Sequence, residues 1–163
     1  MSSEFNETAY CKTPIGTAKL VGNLIGLQSV TISDFVFEER PQTIPNSLKE
    51  PVQQLQDYFY KGLKEFHLKL NPKGTDFQLK IGQLLQEIPY GSTLSYRELA
   101  QRFGNVKAIR AIAHANAQNP LWIVVPCHRI IGLNGDLTGY AGGIWRKKYL
   151  LELENKSYQT KLF

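Results

Sequence analysis

The segment Asn71-Pro72-Lys73-Gly74 constrains the fold most, because proline and glycine interrupt regular structure between two halves of different character. We therefore predict an N-terminal domain at residues 1–73 and a C-terminal domain at residues 74–163. In the first half, short β-branched runs alternate with glycines, from Thr17 to Ile25 and from Ser29 to Ile32. Such runs predict antiparallel hairpins. The 163 residues are enough for one domain or two small ones.

One helix is expected after these strands. Ser47 is a candidate N-cap, because Glu50 three residues later would complete a capping box and Pro51 suits a first turn. The apolar side chains that follow recur at helical spacing and predict a core stripe: Leu48, Val52, Leu55, Phe59 and Leu63. Residues 66–70 alternate like a further strand, with His67 on its solvent side.

The second half predicts mainly helices. Residues 77–88 form one amphipathic pattern, which a Pro-Tyr-Gly turn closes. Ser95 with Glu98 predicts a capping box that starts a second helix. A Gly-Asn break then leads to a third helix at residues 106–117. Two helices around a short glycine-containing turn are typical of a helix-turn-helix, although many small helical proteins share this pattern.

The third helix has two contrasting faces. At about 100° per residue, its buried face is expected to carry these apolar residues: Val106, Ile109, Ile112 and Ala113. The opposite face is expected to expose a stripe of alanines with basic and amide edges: Ala108, Ala111 and Ala115, flanked by Lys107, Arg110, His114 and Gln118. Alanines are good helix formers in any case, but an exposed stripe of small residues also permits close approach to DNA.

The run Val125-Pro126-Cys127-His128-Arg129 carries the strongest chemical signal. The proline fixes the backbone before the thiol. His128 can accept the thiol proton directly or through a water, and the charge of Arg129 favours the ionised sulfur. A cysteine that follows an apolar, strand-like run such as residues 121–125 is often an inert core residue. The grouping of proline, histidine and arginine around Cys127 favours a nucleophile instead.

Composition narrows the partners and the compartment. Lys and Arg outnumber Asp and Glu by 19 to 14, and the resulting net charge of +5 suits a polyanionic partner. The two cysteines, Cys11 and Cys127, form neither a zinc spacing nor a disulfide framework. The polar start of the chain lacks the apolar core of a signal peptide, and no apolar run is long enough to span a bilayer. We therefore expect a cytoplasmic protein with reduced thiols and no membrane partner.

With these residues the chain resembles the O6-alkylguanine-DNA alkyltransferases, which are direct-reversal DNA repair proteins. The matching motifs cover nearly the whole chain: TPIG at 13–16, QLQDYF at 54–59, GTDFQ at 74–78, IPYG at 88–91, SY at 95–96, NP at 119–120, IVVPCHRII at 123–131, GYAGG at 139–143 and KYLLELE at 148–154. The segment around the cysteine is highly specific to this family. The N-terminal half is much less so.

The resemblance implies an α/β chain of the α+β type. Its N-terminal domain would be a small antiparallel sheet with a helix, RNase H-like, and its C-terminal domain a mostly helical unit with a helix-turn-helix for DNA binding and alkyl transfer. The implied enzyme is a methylated-DNA–protein-cysteine S-methyltransferase with Cys127 as alkyl acceptor. His128 would deprotonate this cysteine through a water, and Glu154 would orient His128. Asn119 matches the asparagine that shapes the turn beside the site.

The resemblance also assigns residues to DNA and to the lesion. Tyr96 matches the tyrosine that crowds the target phosphate, and Arg110 matches the finger that fills the vacated base position. The remaining DNA contacts would come from one short set: Lys107, Arg129, Ala108, Ala111 and Ala115. The wall of the guanine pocket would come from another: Trp122, Tyr140, Ala141, Gly142 and Gly143.

The implied partner is double-stranded DNA containing O6-alkylguanine, bound from its minor groove by a monomer; whether binding is cooperative stays open. The damaged nucleotide would rotate out of the duplex before its alkyl group reaches the thiolate. Because a thioether is a poor leaving group, one protein molecule would repair one lesion. No cofactor is implied, S-adenosylmethionine included, and no metal. Such a protein would work in the cytoplasm on the nucleoid, or in the nucleus of a eukaryote.

Two positions depart from the family pattern. Gly82 stands where members often carry a tryptophan, which affects helix packing rather than chemistry. Ala141 stands where some members carry a serine, so backbone amides must replace a hydroxyl contact to the base oxygen. The preferred alkyl group, and any activity on O4-alkylthymine, therefore stay open.

Three other functions fit parts of the pattern less well. A non-enzymatic lesion binder of the alkyltransferase-like type replaces the acceptor cysteine, which is present here as Cys127. A Cys-His hydrolase usually draws its nucleophile and base from distant segments, whereas Cys127 and His128 are adjacent. A zinc protein needs more ligands in suitable spacing than two cysteines and three histidines supply.

Overall fold

The structure, a computed structural model, describes residues 5–35 and 43–155. The backbone divides between Lys73 and Gly74 into two units, Met1–Lys73 and Gly74–Phe163. The first contains strands and one helix, and the second is mainly helical, which makes the chain α+β. No helix within the described ranges is long and apolar enough to cross a membrane. The outermost residues of both predicted domains, 1–4 and 156–163, lie outside the description.

Three antiparallel strands form the sheet of the first unit: β1 (Glu7–Thr13), β2 (Gly16–Gly22) and β3 (Leu27–Ser33), in the order β1-β2-β3. The sequence indicated β2 and β3 but missed β1. Residues 13–16, the TPIG motif, form the turn between β1 and β2. Thr13 closes this turn, because its Oγ1 accepts from the Ile15 N–H and donates to the Gly16 carbonyl.

Helix α1 (Asn46–Tyr60) contacts β1 and β2. Four of the five predicted stripe residues are buried in it: Leu48, Val52, Leu55 and Phe59. The predicted N-cap is wrong, since the cap residue is Pro45 and Ser47 lies inside the helix. The hydroxyl of Ser47 instead donates to Glu7 Oε1 at 2.7 Å, and Glu50 accepts from the Gln54 side chain. A tertiary contact has therefore replaced the local cap.

Residues 66–70 do not form the predicted strand. Among the described residues, two backbone hydrogen bonds attach this segment to the sheet: Leu27 donates to Lys69, and Asn71 donates to Leu27. The buried amide of Gln54 takes the place of a strand partner, because it both accepts from the His67 N–H and donates to its carbonyl. The His67 side chain is exposed, as expected.

The described part of the second unit, residues 74–155, has four α-helices: α2 (Asp76–Gln86), α3 (Tyr96–Phe103), α4 (Ile109–Ala117) and α5 (Ile144–Glu154). The capping box of Ser95 and Glu98 at the start of α3 is confirmed. Gly104 ends α3 with φ 99°, a left-handed conformation that favours glycine. The third predicted helix begins later than expected, because Val106–Ala108 form a 3₁₀ turn before α4.

A short parallel pairing positions the chemistry. Strand β4 (Leu94–Ser95) immediately precedes α3 and pairs with β5 (Ile130–Ile131). Strand β5 directly follows Cys127–Arg129, which form a 3₁₀ turn. The pairing of β4 with β5 therefore holds the start of the helix-turn-helix next to the cysteine turn.

Gly82 and Gly104 allow a matched test of the backbone conformation assigned to each of them. An added Cβ would meet no atom within 4 Å at either Gly82 or Gly104, so only the backbone conformation differs. Gly82 lies inside α2, and Gly82→Ala should raise the free energy of unfolding by about 0.5–1 kcal/mol. Gly104→Ala should lower it by about 1–2 kcal/mol, because alanine is strained at positive φ.

Urea denaturation of the two variants and the parent measures both changes. Shifts of the same sign for Gly82→Ala and Gly104→Ala would contradict the assignment of a left-handed cap to Gly104.

Candidate active site

Cys127 begins the 3₁₀ turn Cys127–Arg129, and its side chain is only 5% exposed. The run before it, residues 121–125, is not the predicted strand. Its backbone folds into tight turns, in which Val125 donates to Leu121 and Cys127 donates to Val125. Ile123 adopts φ 72° there, which is rare for a β-branched residue and costs on the order of 1–3 kcal/mol.

The side chain of Asn119 holds these turns together. Its Nδ2 donates to the carbonyls of Leu121 and Val125 at 3.2 and 2.8 Å, and its Oδ1 accepts from the Leu121 N–H at 3.0 Å. One side-chain amide thus satisfies three backbone groups of a buried segment, which offsets the strain at Ile123. This geometry agrees with the predicted position of Asn119 beside the cysteine.

Three buried side chains form an ionic cluster next to the cysteine. Nε2 of His128 lies 2.7 Å from Oε2 of Glu154. The guanidinium of Arg129 contacts both oxygens of Glu154, from Nε at 2.8 Å and from Nη2 at 3.0 Å, and its Nη1 donates to the Ile88 carbonyl. The predicted His128–Glu154 pair is therefore within hydrogen-bond distance. The predicted DNA contact of Arg129 is wrong, because Glu154 draws this side chain into the interior.

The charges in this cluster fix the tautomer of His128. Burial raises the pKa of Glu154, but His128 and Arg129 outweigh it and hold that pKa well below the usual range. Burial lowers the pKa of His128, which has no exposed surface. A neutral His128 must donate Nε2–H to the ionised Glu154, so Nδ1 is left as an acceptor. Within the described residues Nδ1 has no hydrogen-bond partner.

The thiol of Cys127 needs such an acceptor. Burial raises its pKa, while Asn119 and Lys147 act in the opposite direction. A thiol at neutral pH in this position stays protonated until a base removes its proton, and the thiolate is the reactive form. His128, the next residue, has an acceptor nitrogen without a partner among the described residues, and Lys147 places a positive charge near the sulfur.

Lys147 was missed by the sequence analysis. It is fully buried, and its Nζ donates to the carbonyls of Ile130 and Thr138. Burial lowers its pKa to about 8, although the nearby Cys127 raises it. Helical spacing could have found it, because Lys147, Leu151 and Glu154 lie on one face of α5 at steps of four and three residues.

The predicted pocket residues surround a constriction beside the site. The rings of Trp122 and Tyr140 lie 5.6 Å apart, and Tyr140 is buried with no hydrogen-bond partner for its hydroxyl among the described residues. A Cβ added to Gly142 would come within 2.7 Å of Tyr140 and 2.8 Å of Trp122, so only glycine fits. Gly143 has φ 93°, and Ala141 is exposed.

Tyr96 and Arg146 anchor the same loop. The Tyr96 hydroxyl donates to the Thr138 carbonyl at 3.2 Å, and burial raises its pKa. Arg146, which the sequence analysis missed, donates from Nη1 to the Gly142 carbonyl and stacks 4.5 Å from the Trp145 ring. The loop that carries the pocket is therefore held from α3 and from the first turn of α5.

The surface of α4 matches the predicted DNA face only in part. Lys107, Arg110 and Ala111 are exposed, and Ala108 is half-buried. Ala115 is only 5% exposed, so its predicted place in the exposed stripe is wrong.

Helical spacing explains this difference, because Ala115 is three residues from the buried Ile112 and therefore on the same side of α4. Val106, which lies in the 3₁₀ turn before α4, is 39% exposed, against the prediction. Asn116 on the buried side of α4 reaches the Cys127 carbonyl, with Nδ2 at 3.4 Å, a link that the sequence analysis missed.

The arrangement suits nucleophilic substitution by a buried thiol. It combines a nucleophile, a neutral imidazole with a free acceptor nitrogen, and a buried cation near the sulfur. Within residues 5–35 and 43–155, no group of three or more His, Cys, Asp or Glu side chains could hold a metal ion.

Comparison with known proteins agrees with this chemistry. Residues 76–156 match the model of the 6-O-methylguanine DNA methyltransferase, DNA binding domain. The chain is 44% identical over 153 residues to a methylated-DNA–protein-cysteine methyltransferase of Methanosarcina acetivorans, covering 90% of this chain and 96% of that protein. A relative of the same name from Mycobacterium tuberculosis is 44% identical over 145 residues, covering 87% and 88% of the two chains.

Solved structures show the same relationship. The O6-methylguanine methyltransferase of M. tuberculosis has a TM-score of 0.82 at 41% identity, covering 93% of this chain and 94% of that one. A structure of M. tuberculosis OGT in complex with DNA has a TM-score of 0.81 at 42% identity, covering 93% of each chain. The chain therefore belongs to the methylated-DNA–protein-cysteine methyltransferase family of DNA repair enzymes.

Proposed function

We propose that this protein repairs O6-alkylguanine in double-stranded DNA by moving the alkyl group irreversibly to its own Cys127. The single observation that carries the proposal is the buried Cys127 next to the buried His128, whose Nε2 lies 2.7 Å from Oε2 of Glu154 and whose Nδ1 has no hydrogen-bond partner among the described residues. The same unit holds a helix-turn-helix with a basic helix α4, which supplies the means to bind DNA.

Electrostatic attraction supports the binding step. The net charge of +5 favours a polyanion, and Lys107 and Arg110 are exposed at the start of α4. The exposed Ala111 between basic neighbours permits close approach to the minor groove. The protein binds as a monomer, and its place of action is the cytoplasm or, in a eukaryote, the nucleus.

The lesion must leave the duplex, because a stacked base hides its alkylated oxygen from a buried thiol. Extrusion costs a few kcal/mol of stacking and pairing. Arg110 is exposed on α4 and long enough to occupy the vacated space, which offsets part of this cost. Tyr96 at the start of α3 crowds the phosphate of the target nucleotide. The extruded guanine enters the pocket between Trp122 and Tyr140, whose hydroxyl is free to donate to it.

The chemical step is a single displacement. His128 takes the thiol proton at Nδ1 through a water, and the thiolate attacks the alkyl carbon. The S–C bond forms as the C–O6 bond breaks, and the guanine receives the proton back from the imidazolium. The S–C bond of the thioether product is not cleaved again, so each protein molecule acts once. No cofactor takes part, S-adenosylmethionine included, since the damaged DNA is the alkyl donor.

The pocket sets the range of lesions. Ala141 provides no hydroxyl, so backbone amides of the loop face the base oxygen. Gly142 leaves no space beside Tyr140 and Trp122 for any larger residue. Whether O4-alkylthymine is repaired depends on how well the smaller base contacts the same walls.

The assignment of Cys127 predicts a defined covalent product. Incubation with duplex DNA containing O6-methylguanine should add one methyl mass per molecule, on the peptide that holds Cys127. Cys127→Ser should bind DNA but gain no mass. Cys11 is the matched control, because it is also buried, and Cys11→Ser should still accept one methyl group. Intact-mass and peptide mass spectrometry measure these outcomes; methyl found on Cys11 contradicts the proposal.

The relay predicts a rate defect without loss of the fold. His128→Ala leaves the contact between Arg129 and Glu154 intact, so the cluster stays neutralised. Transfer should slow by about 10²–10⁴-fold, which is typical for general-base assistance. His67→Ala removes an exposed histidine and should change nothing. Single-turnover transfer rates of the parent and both variants near neutral pH measure the effect. An undiminished rate in His128→Ala excludes the relay.

Arg110→Ala separates extrusion from chemistry. It should slow repair of duplex lesions about tenfold or more, since each 1.4 kcal/mol of lost extrusion energy is tenfold in rate. Transfer from free O6-benzylguanine, which needs no extrusion, should change by less than about threefold. Lys107→Ala is the matched control, because a lost phosphate contact should weaken binding to damaged and undamaged DNA alike.

Paired single-turnover rates on both substrates measure the effect. Equal losses for Arg110→Ala on duplex and free base would assign Arg110 to the fold or the pocket, and the finger role would have to be given up.

A further inference from the structure

Arg129 lies in the interior, and all three nitrogens of its guanidinium donate hydrogen bonds. Nε and Nη2 contact the two oxygens of Glu154 at 2.8 and 3.0 Å, and Nη1 donates to the Ile88 carbonyl at 2.7 Å. The guanidinium also lies 5.7 Å from the ring centre of Tyr90. The Arg129 side chain is 7% exposed, and its guanidinium nitrogens already have hydrogen-bond partners within the protein. The role of Arg129 is therefore sought in its contacts with Glu154 and His128.

We propose that Arg129 is a positioning residue that keeps Glu154 ionised and thereby confines the proton moved during alkyl transfer to His128. The proposal rests on the function proposed above for Cys127. Arg129 acts through its two contacts with Glu154 and through its charge beside His128.

The geometry gives Arg129 control over the carboxylate. Two parallel N–H groups of a guanidinium fix the plane of the carboxylate they contact. Oε2 of Glu154 is shared, because it accepts from Arg129 Nη2 at 3.0 Å and lies 2.7 Å from His128 Nε2. The orientation that Arg129 imposes is therefore the one that presents Oε2 to the imidazole.

Arg129 also determines which side chain holds the proton that is taken from the thiol. A carboxylate alone beside a buried imidazolium could accept its proton, and the relay would then hold the proton on Glu154. With a permanent cation on both oxygens, Glu154 stays ionised and His128 keeps Nε2–H. The only site that gains and loses a proton during the reaction is then Nδ1 of His128. That proton is free to return to the departing guanine.

The surroundings balance the basicity of His128. Glu154 raises its pKa, whereas burial, Arg129 and Lys147 lower it. The charged and titratable groups that face the cluster come from four segments: Cys127 and Arg129 in the cysteine turn, Lys147 and Glu154 in α5, Tyr90 before β4, and Tyr140 in the pocket loop. A base of reduced strength accepts the thiol proton and still releases it.

The competing explanation is a purely structural tie. Arg129 joins the end of α5 to the Ile88 carbonyl, and its loss would loosen both. A loosened site loses rate at every pH by the same factor. Loss of the charge instead raises the proton affinity of both Glu154 and His128, so the rate falls mainly at low pH. The pH dependence of transfer separates these two explanations.

The test uses the full chain and free O6-benzylguanine, which removes DNA binding from the measurement. Single-turnover rates are measured between about pH 5 and pH 9, the range in which histidine titrates. Arg129→Gln removes the charge and keeps one donor for Glu154, while Arg129→Lys keeps the charge. Arg102→Met is the matched control, because it removes an arginine exposed on α3.

For Arg129→Gln we expect the acid limb of the rate profile to move up by about one pH unit or more, the usual effect of one neighbouring charge. Near pH 9 its rate should approach that of the parent. Arg129→Lys should keep the acid limb of the parent, and Arg102→Met should match the parent throughout. If Arg129→Gln does not fold, the acid limb of Arg129→Lys and the NMR titration of its His128 ring carry the same test.

Two results overturn the inference. One is a loss in Arg129→Gln that is uniform in pH, and the other is an acid limb in Arg129→Lys that moves as far as that of a neutral variant. A parent protein that takes neither a benzyl group from O6-benzylguanine nor a methyl group from duplex DNA onto Cys127 would instead overturn the proposed function. An active parent with unmoved acid limbs would overturn only the role of Arg129.

Discussion

The buried carboxylate of Glu154 is the interaction on which the rest of the site depends. It stands at the last residue of α5 and accepts from the side chains of the cysteine turn, His128 and Arg129. Taking each ion out of water costs several kcal/mol, and only excellent geometry offsets that cost. Because neither ion is well solvated, loss of Arg129 or of Glu154 leaves an uncompensated charge. The cluster therefore fixes the path of the chain around Cys127 as firmly as it fixes the proton chemistry.

Local signals in the sequence predicted local structure well. The capping box of Ser95 and Glu98 needs only four residues, so α3 is found at its observed start. Ser47 offers the same signal, but Glu7, forty residues away in the chain, takes its hydroxyl. The apolar run of residues 121–125 looks like a strand because short apolar runs do not distinguish strands from buried turns. Here the side-chain amide of Asn119 stabilises the turns through its hydrogen bonds to the backbone of Leu121 and Val125.

The candidate site was predictable where chemistry and spacing coincide. Cys127 and His128 follow from their adjacency, whereas the direction of Arg129 does not, since an arginine beside a cysteine can face DNA or a buried carboxylate. Ala115 was misplaced, although its spacing of three residues from the buried Ile112 puts it on the inner side of α4. Lys147 was missed because a lysine is rarely buried, although its helical spacing to Glu154 places it on the inner face.

The site keeps polar groups open that a purely structural core would close. Nδ1 of His128 and the hydroxyl of Tyr140 are buried without protein partners in the part of the chain described. Each such group costs on the order of 1–3 kcal/mol. Both belong to the proposed pocket and relay, so an incoming base and its water would satisfy them. The strain at Ile123 adds to the same cost, and the hydrogen bonds of Asn119 offset it. Stability is thus lower at Cys127 than a closed core would allow, and the open groups are those to which we assign the proton relay and the guanine pocket.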